Sequence, residues 1–284
     1  MSKDNSEVRN QNPEFRIAER GRDSANWQFL ITRSLDLLIP RSLVLCLCLW
    51  LGAAAAAEPP SGEWILNKVD ENEYSDTRVV VSEMVIKLAR TTRTVKARSW
   101  IRGADQSFTE FLYPEREKGT KMLKLGDELW TYTPSTDRTI KISGHMLRQS
   151  VMGSDLSYED MMEDHKLTNL YTATVAGEDT VLGRQCWVLE LTAKKPDVSY
   201  FKRKIWVDKE RFVPMREDRF AKSGRLLKTT EVKSVSFQHG RWVADHVAFK
   251  DVLKSGSGTE FRLDSIRFNV AVPEYLFSKA ALKK

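Results

Sequence analysis

A chain of 284 residues with 41% hydrophobic and 30% charged residues is long enough to bury a core, and its net charge of +6 is the difference between 45 basic and 39 acidic residues. The charges are mixed along the chain, with no long block of one sign, so the basic groups Lys194-Lys195 and Lys202-Arg203-Lys204 read as solvated strand faces and nucleic acid is not expected as a partner.

Residues 1–40 are polar and charged, without a hydrophobic period, and read as an extension preceding the first recognisable element. Arg41 then opens an apolar run from Leu43 to Leu51, followed by small residues ending in Ala55-Ala56-Ala57 before Glu58. A basic residue, an apolar run and an Ala-x-Ala exit are the parts of a cleaved signal peptide, here 41–57. Counted through Ala57 the stretch has about 15 residues, short of the roughly 20 that span a bilayer. Cys46 and Cys48 fall inside it, which leaves Cys186 as the sole thiol of the remaining chain. An intramolecular disulfide and a cysteine-rich metal site are then excluded, and Cys186 reads as a buried, inert thiol. Residues 58–284 are expected to form a single domain.

Pro59-Pro60-Ser61 punctuates the chain, and Trp64 or Ile65 with Val69 mark one face of a short amphipathic helix. From Arg78 the period becomes two. Val80, Met84, Ile86 and Leu88 share one strand face, as do Phe111 with Tyr113, then Trp187, Leu189 and Leu191, and Val243, Val247 and Phe249. Turn signals at 134–137, 195–197, 222–224, 239–240 and 255–258 join these strands as successive antiparallel hairpins. Near the end, Phe261 and Leu263 differ in parity from Ile266, Phe268 and Val270, and a bulge at Asp264-Ser265 reconciles them. The fold class is mainly β (α+β), a large, curved antiparallel sheet with short helices and a concave face to fill. GxGxxG is absent, and no cofactor is expected.

The stretch Ser143–Met162, SGHMLRQSVMGSDLSYEDMM, holds half of the eight methionines, with serines, a histidine and paired acids. A Ser/His/Asp site needs a nucleophile on a sharp turn, and Ser154 follows Gly153, but the G-x-S-x-G elbow is missing and nothing places His145 as its base. A metal site among Asp160, Glu163, Asp164 and His165 lacks both HExxH and an EF-hand loop. Neither catalytic nor metal-ligating residues are assigned. Ser157 with Asp160 three residues on makes a capping box, so a helix is expected through Tyr158, Met161 and Met162. Methionine adapts to irregular apolar surfaces, which suits a lid over a pocket, although a core helix without ligand fits the same pattern.

The segments REKGTKMLKLGDELWTY, PSTDRTIKISGHMLRQSVMGSDLSYEDM, GRQCWVLELTAKK and KIWVDKERFVPMRED occur in this order, and the region from Glu63 to the C-terminus resembles the LolA-like outer-membrane lipoprotein-sorting family. The resemblance implies an incomplete, strongly curved antiparallel β-barrel whose mouth is covered by helices around a hydrophobic cavity. It implies no catalysis. It implies a carrier in the periplasm of a Gram-negative bacterium, holding lipoprotein acyl chains or another lipid for delivery to the outer membrane, with a transient membrane-protein partner. A lipid-sensing or regulatory protein of the same fold is the alternative it leaves open. The expected lipid-contacting residues are Trp100, Phe111, Trp130, Met146, Met152, Tyr158, Met161 and Met162. Gly153, Ser154, Asp155, Ser157 and Asp160 are expected to form the turn and cap that hold the lid, and Arg148 faces either a headgroup or an acid.

Overall fold

Ser61 starts the first helix, accepting the Trp64 N–H at 3.2 Å, and α1 then runs Gly62–Glu73. Its apolar positions Ile65, Leu66 and Val69 are fully buried. A side chain at Gly62 would place its Cβ 2.5 Å from the Ala173 carbonyl oxygen, so glycine lets the helix start directly on the sheet. The computed structural model describes residues 59–163, 166–256 and 258–284. The extension 1–40 and the signal peptide expected at 41–57 lie outside the described residues. Among those described, no helix is long and apolar enough to cross a membrane.

The strands are β1 (Thr77–Lys87), β2 (Thr92–Arg102), β3 (Gln106–Tyr113), β4 (Lys121–Leu125), β5 (Glu128–Thr133), β6 (Arg138–Ile142), β7 (Tyr171–Val181), β8 (Arg184–Ala193), β9 (Lys202–Asp208), β10 (Pro214–Phe220), β11 (Leu226–Gln238), β12 (Arg241–Asp251) and β13 (Gly258–Phe268). They form one 13-stranded antiparallel sheet in the order β6-β5-β4-β3-β2-β1-β13-β12-β11-β10-β9-β8-β7. Consecutive strands pair as hairpins everywhere except between β6 and β7, the two edges. The chain joins those edges through residues 143–170, so this one long connection runs from one margin of the sheet to the other. It contains short 3-10 turns, α2 (Tyr158–Met162) and α3 (Leu167–Leu170). The sheet is not closed into a barrel, and the incomplete barrel expected from the sequence is of this kind.

Register explains the parity change near the C-terminus. Val81 faces Ser265 while Ser82 faces Leu263, which leaves Asp264 as the extra residue of a bulge. Phe261, Leu263 and Ile266 therefore reach one cavity. Leu88 falls beyond the end of β1 and is exposed, and Trp64 is likewise exposed where Ile65 takes the core position.

Three clusters carry most of the packing that positions the site. Ile65, Leu66 and Val69 of α1 pack on Tyr171, Trp187, Leu189, Leu191, Ile205 and Val207 of β7–β9. Met84, Ile86, Val95, Ala97, Phe111, Met122, Leu129 and Ile142 of β1–β6 pack under the 143–163 segment, through Val151 and its partly buried neighbours. On the opposite face of β3 and β4, Phe108 and Leu123 receive Leu276, Ala281 and Leu282 of the C-terminal 3-10 turns.

Candidate functional site

Alternation along β1–β3 sends small and medium apolar side chains to one face. Val80, Ser82 and Met84 of β1, Val95, Ala97, Ser99 and Ile101 of β2, and Thr109 and Phe111 of β3 line a cavity of about 310 Å³. Val243 and Ala244 of β12 and Phe261, Leu263 and Ile266 of β13 complete its floor, and Val151, Leu156 and Met161 cover it from the connecting segment. The volume lies near the lower end of the roughly 300–1,000 Å³ of small-molecule sites. The Ser99 and Thr109 hydroxyls bond each other at 2.8 Å, so two polar wall groups are already satisfied.

Of the residues expected to contact lipid, Phe111 and Met161 line the cavity. Met146, Met152, Tyr158 and Met162 pack partly buried in the cluster behind that lining. Met162 also borders a separate, more polar cavity with Glu159 and Lys124. Trp100 and Trp130 correct the sequence reading. Both pack on the opposite face, against the cluster built by Phe108, Leu123 and the C-terminal turns. The reason is strand parity: Trp100 lies between the cavity residues Ser99 and Ile101, and Trp130 faces Leu123 across the β4–β5 pair.

The connecting segment is held at two places. At the first, Met152 and Gly153 adopt positive φ of 51° and 75° and fold the chain back so that Val151 N–H donates to the Leu156 carbonyl at 2.9 Å. The Ser154 hydroxyl accepts the Leu156 N–H at 3.2 Å, and Ser154 is buried. The Asp155 carboxylate accepts the Asp251 N–H at 2.9 Å and the Thr259 hydroxyl at 2.8 Å. Lys254 donates to the Ser150 hydroxyl (2.6 Å) and the Ser154 carbonyl (2.9 Å). These bonds tie the turn to the β12–β13 hairpin. Of the described histidines, His246 faces Glu260 at 3.2 Å and none bonds to Ser154.

At the second place the Ser157 capping box forms, with Ser157 N–H donating to Asp160 at 2.7 Å and Asp160 N–H donating to the Ser157 hydroxyl at 3.3 Å. A helix as short as α2 has little stability of its own. Asp160 supplies more than a cap: its carboxylate also meets Lys228, Arg219 (3.4 Å) and the Tyr200 hydroxyl. Glu163 pairs with Arg203, which donates to Glu217 at 2.7 Å, and Glu217 accepts from Arg219 at 2.7 Å. Three acids and three bases from α2, β9, β10 and β11 thus form one buried network. Arg203 overturns its reading as part of a solvated face, being only 3% exposed with its guanidinium over the Tyr171 and Tyr200 rings. The sequence carried a usable signal, because Arg203 shares parity with buried Ile205 and Val207.

Burial alone raises a carboxyl group, but here charge wins. Lys228 and Arg219, aided by the Lys228 and Tyr200 hydrogen bonds, hold Asp160 below its ordinary value. Arg219 and Arg203 together pull Glu217 down to about 2 against its burial. A folded value below the unfolded one means that the contribution is present above pH 4.5 and lost as pH falls through about 2. Thermal stability is expected to drop between about pH 5 and pH 2, and to drop less steeply in Glu217→Gln, as read by melting curves across that window. Equal slopes in the two proteins would remove Glu217 from the acid response.

Among the described residues, no group of three or more His, Cys, Asp or Glu side chains is placed to hold a metal ion. Asp164 and His165 of the acidic cluster lie outside the described residues.

A family model described as "Uncharacterized protein"-like matches residues 103–284. No curated protein matches the sequence. Among solved structures, a DUF1329 family protein from Desulfovibrio piger is 26% identical with a TM-score of 0.72, covering 78% of this chain and 97% of that one. A provisionally named outer membrane lipoprotein-sorting protein domain from Vibrio parahaemolyticus is 24% identical, TM-score 0.70, over 78% and 98% of the two chains. A LolA superfamily protein from Nitrosomonas europaea is 24% identical, TM-score 0.66, over 78% and 100%.

Proposed function

On the premise that the chain belongs to the family matched over residues 103–284 and has the LolA-like fold, we propose that it is a non-catalytic carrier that holds acyl chains in the cavity between β1–β3, β12–β13 and the 143–163 segment. The observation that carries this reading is an apolar cavity roofed by a segment that joins the two sheet edges and is fastened by polar bonds at two places. Each CH₂ withdrawn from water stabilises a complex by about 0.8 kcal/mol, so one acyl chain supplies on the order of 10 kcal/mol before ordering costs. No covalent step is needed. Uptake and release require only that the roof move.

In this reading residues 41–57 export the chain to the periplasm and 58–284 form the carrier domain, with lipoprotein acyl chains or another lipid as cargo and a membrane protein as transient partner. Gly153, Ser154, Asp155, Ser157 and Asp160 hold the roof, and Phe111 and Met161 touch the cargo. Met146, Met152, Tyr158 and Met162 support it from behind. The test is native mass spectrometry of the exported protein purified without detergent. The expected result is a stoichiometric lipid or acylated-peptide adduct. A protein that leaves the cell empty and stays empty after incubation with liposomes would overturn the carrier reading in favour of a regulatory protein of the same fold.

A further inference from the structure

The cavity is charged at one end only. Arg78, near the start of β1, is the one charged residue in its described lining. It also lines a second cavity of about 180 Å³, which shares Val243, Ala244 and Ile266 with the first and adds Glu73, Trp242 and Phe268. Arg78 therefore stands at the junction of the two spaces, beside the C-terminus of α1. Its one side-chain hydrogen bond among the described residues goes to a neutral acceptor, the Glu73 carbonyl at 3.2 Å. The neighbouring Arg241 is satisfied differently, donating to the Tyr74 carbonyl at 2.6 Å and lying over the Phe268 ring.

Among the described residues Arg78 forms no ion pair. Burial pushes its guanidinium below the ordinary value, Glu73 pulls it back, and Arg241 adds to the push. Glu73 borders the same space from the solvent-exposed end of α1, and among the described residues its carboxylate makes no ion pair with Arg78. A half-buried guanidinium at the end of an apolar cavity, with no ion pair among the described residues, gains from a charge-assisted partner. The remaining walls are apolar, with the Ser99 and Thr109 hydroxyls bonded to each other.

Dimensions narrow the ligand further. From Arg78 to Met84 along β1 is six residues, about 20 Å at a strand rise of roughly 3.3 Å. A membrane acyl chain spans about 15 Å, half of a bilayer core of about 30 Å. A cavity of about 310 Å³ is small for several chains at once.

We propose that the cavity takes a single-chain amphiphile with an anionic head, the head paired with Arg78 and the tail running along β1 to Val151, Leu156 and Met161. This rests on the carrier reading and adds to it the class of cargo and its orientation. The head is a carboxylate or a phosphate, and the two are separated by experiment.

The test is a set of binding titrations on the exported, delipidated protein with palmitate, palmitoyl-lysophosphatidylglycerol and uncharged monopalmitoylglycerol, all below their aggregation concentrations. The anionic ligands are expected to bind about 10- to 100-fold more tightly than the neutral one, the worth of one charge-assisted contact. The tighter of the two names the head. Arg78→Gln is expected to erase that gap while leaving the neutral ligand's affinity in place, and Arg78→Lys to restore part of it. Equal affinities for charged and neutral ligands in the natural protein overturn the proposal while sparing the carrier reading, as does an Arg78→Gln protein that loses all three equally. Binding of none of the three overturns both. Should Arg78→Gln fail to fold, the charged-to-neutral ratio in the natural protein still decides.

Discussion

Arg203→Ala is expected to destabilise the fold by about 3–5 kcal/mol, the usual cost of breaking a buried ion pair by removing one partner. At roughly 2–4 °C per kcal/mol for a domain of this size, the melting temperature should fall by about 6–20 °C. Arg203 bridges Glu163 of the roof and Glu217 of β10 from a position that is 3% exposed. Without it Arg219 still answers Glu217, but Glu163 loses its partner and the α2 end of the roof keeps only the Asp160 contacts. The rings of Tyr171 and Tyr200 lose the guanidinium stacked on them as well. Uncompensated charge and lost packing can be told apart. Replacing Arg203 and Glu163 together with Met and Leu leaves Glu217 paired with Arg219, removes the stranded charge and should recover much of the loss, because buried ionic groups exchanged for apolar ones of similar volume are often neutral or better. Denaturant melts of the single and double variants measure both. A single-variant loss under about 1 kcal/mol would mean that the network relaxes into solvent and does not fasten the roof.

How much of this could be read in advance depends on which physical signal each residue gives. The strands were legible because Trp187, Leu189 and Leu191 recur at every second position, and the bulge at Asp264 because parity breaks there. The capping box was legible because Ser157 and Asp160 are local partners. The second role of Asp160 was not, since Tyr200, Arg219 and Lys228 reach it from positions 40 or more residues away. Trp100 and Trp130 drew attention as large aromatic residues, yet a cavity is kept open by modest side chains. The walls are Val80, Ala97, Ser99 and Ile101, while the tryptophans pack on the other face, under the C-terminal turns. Trp100 and Phe108 border a different space on that face, beside the C-terminal turns. Arg78 gave no signal, because a lone arginine at a strand start is ordinary until the sheet curves and the helix end meets it.

The strongest separation of cargo binding from stability should come from Ala97→Phe. Ala97 faces Ser82 on β1 and Phe111 on β3, all three on the cavity wall, so its methyl group points to the middle of the space. A phenyl ring there occupies volume that cargo would otherwise take. Displacing three methylenes of an acyl chain costs about 2–3 kcal/mol, on the order of a 100-fold loss in affinity. If the space is free in the unliganded protein, the ring gains apolar contacts and stability should stay level or rise. If Met161, Leu156 and Phe111 already close the space, the extra atoms force strain of about 1–3 kcal/mol. Lipid titration and thermal melting on the same preparation therefore read two independent quantities. Lost binding with an unchanged or higher melting temperature supports a vacant cavity as the cargo site. Retained binding in a stable Ala97→Phe protein would move the cargo elsewhere, with the polar space bordered by Met162 and Lys124 the next place to look.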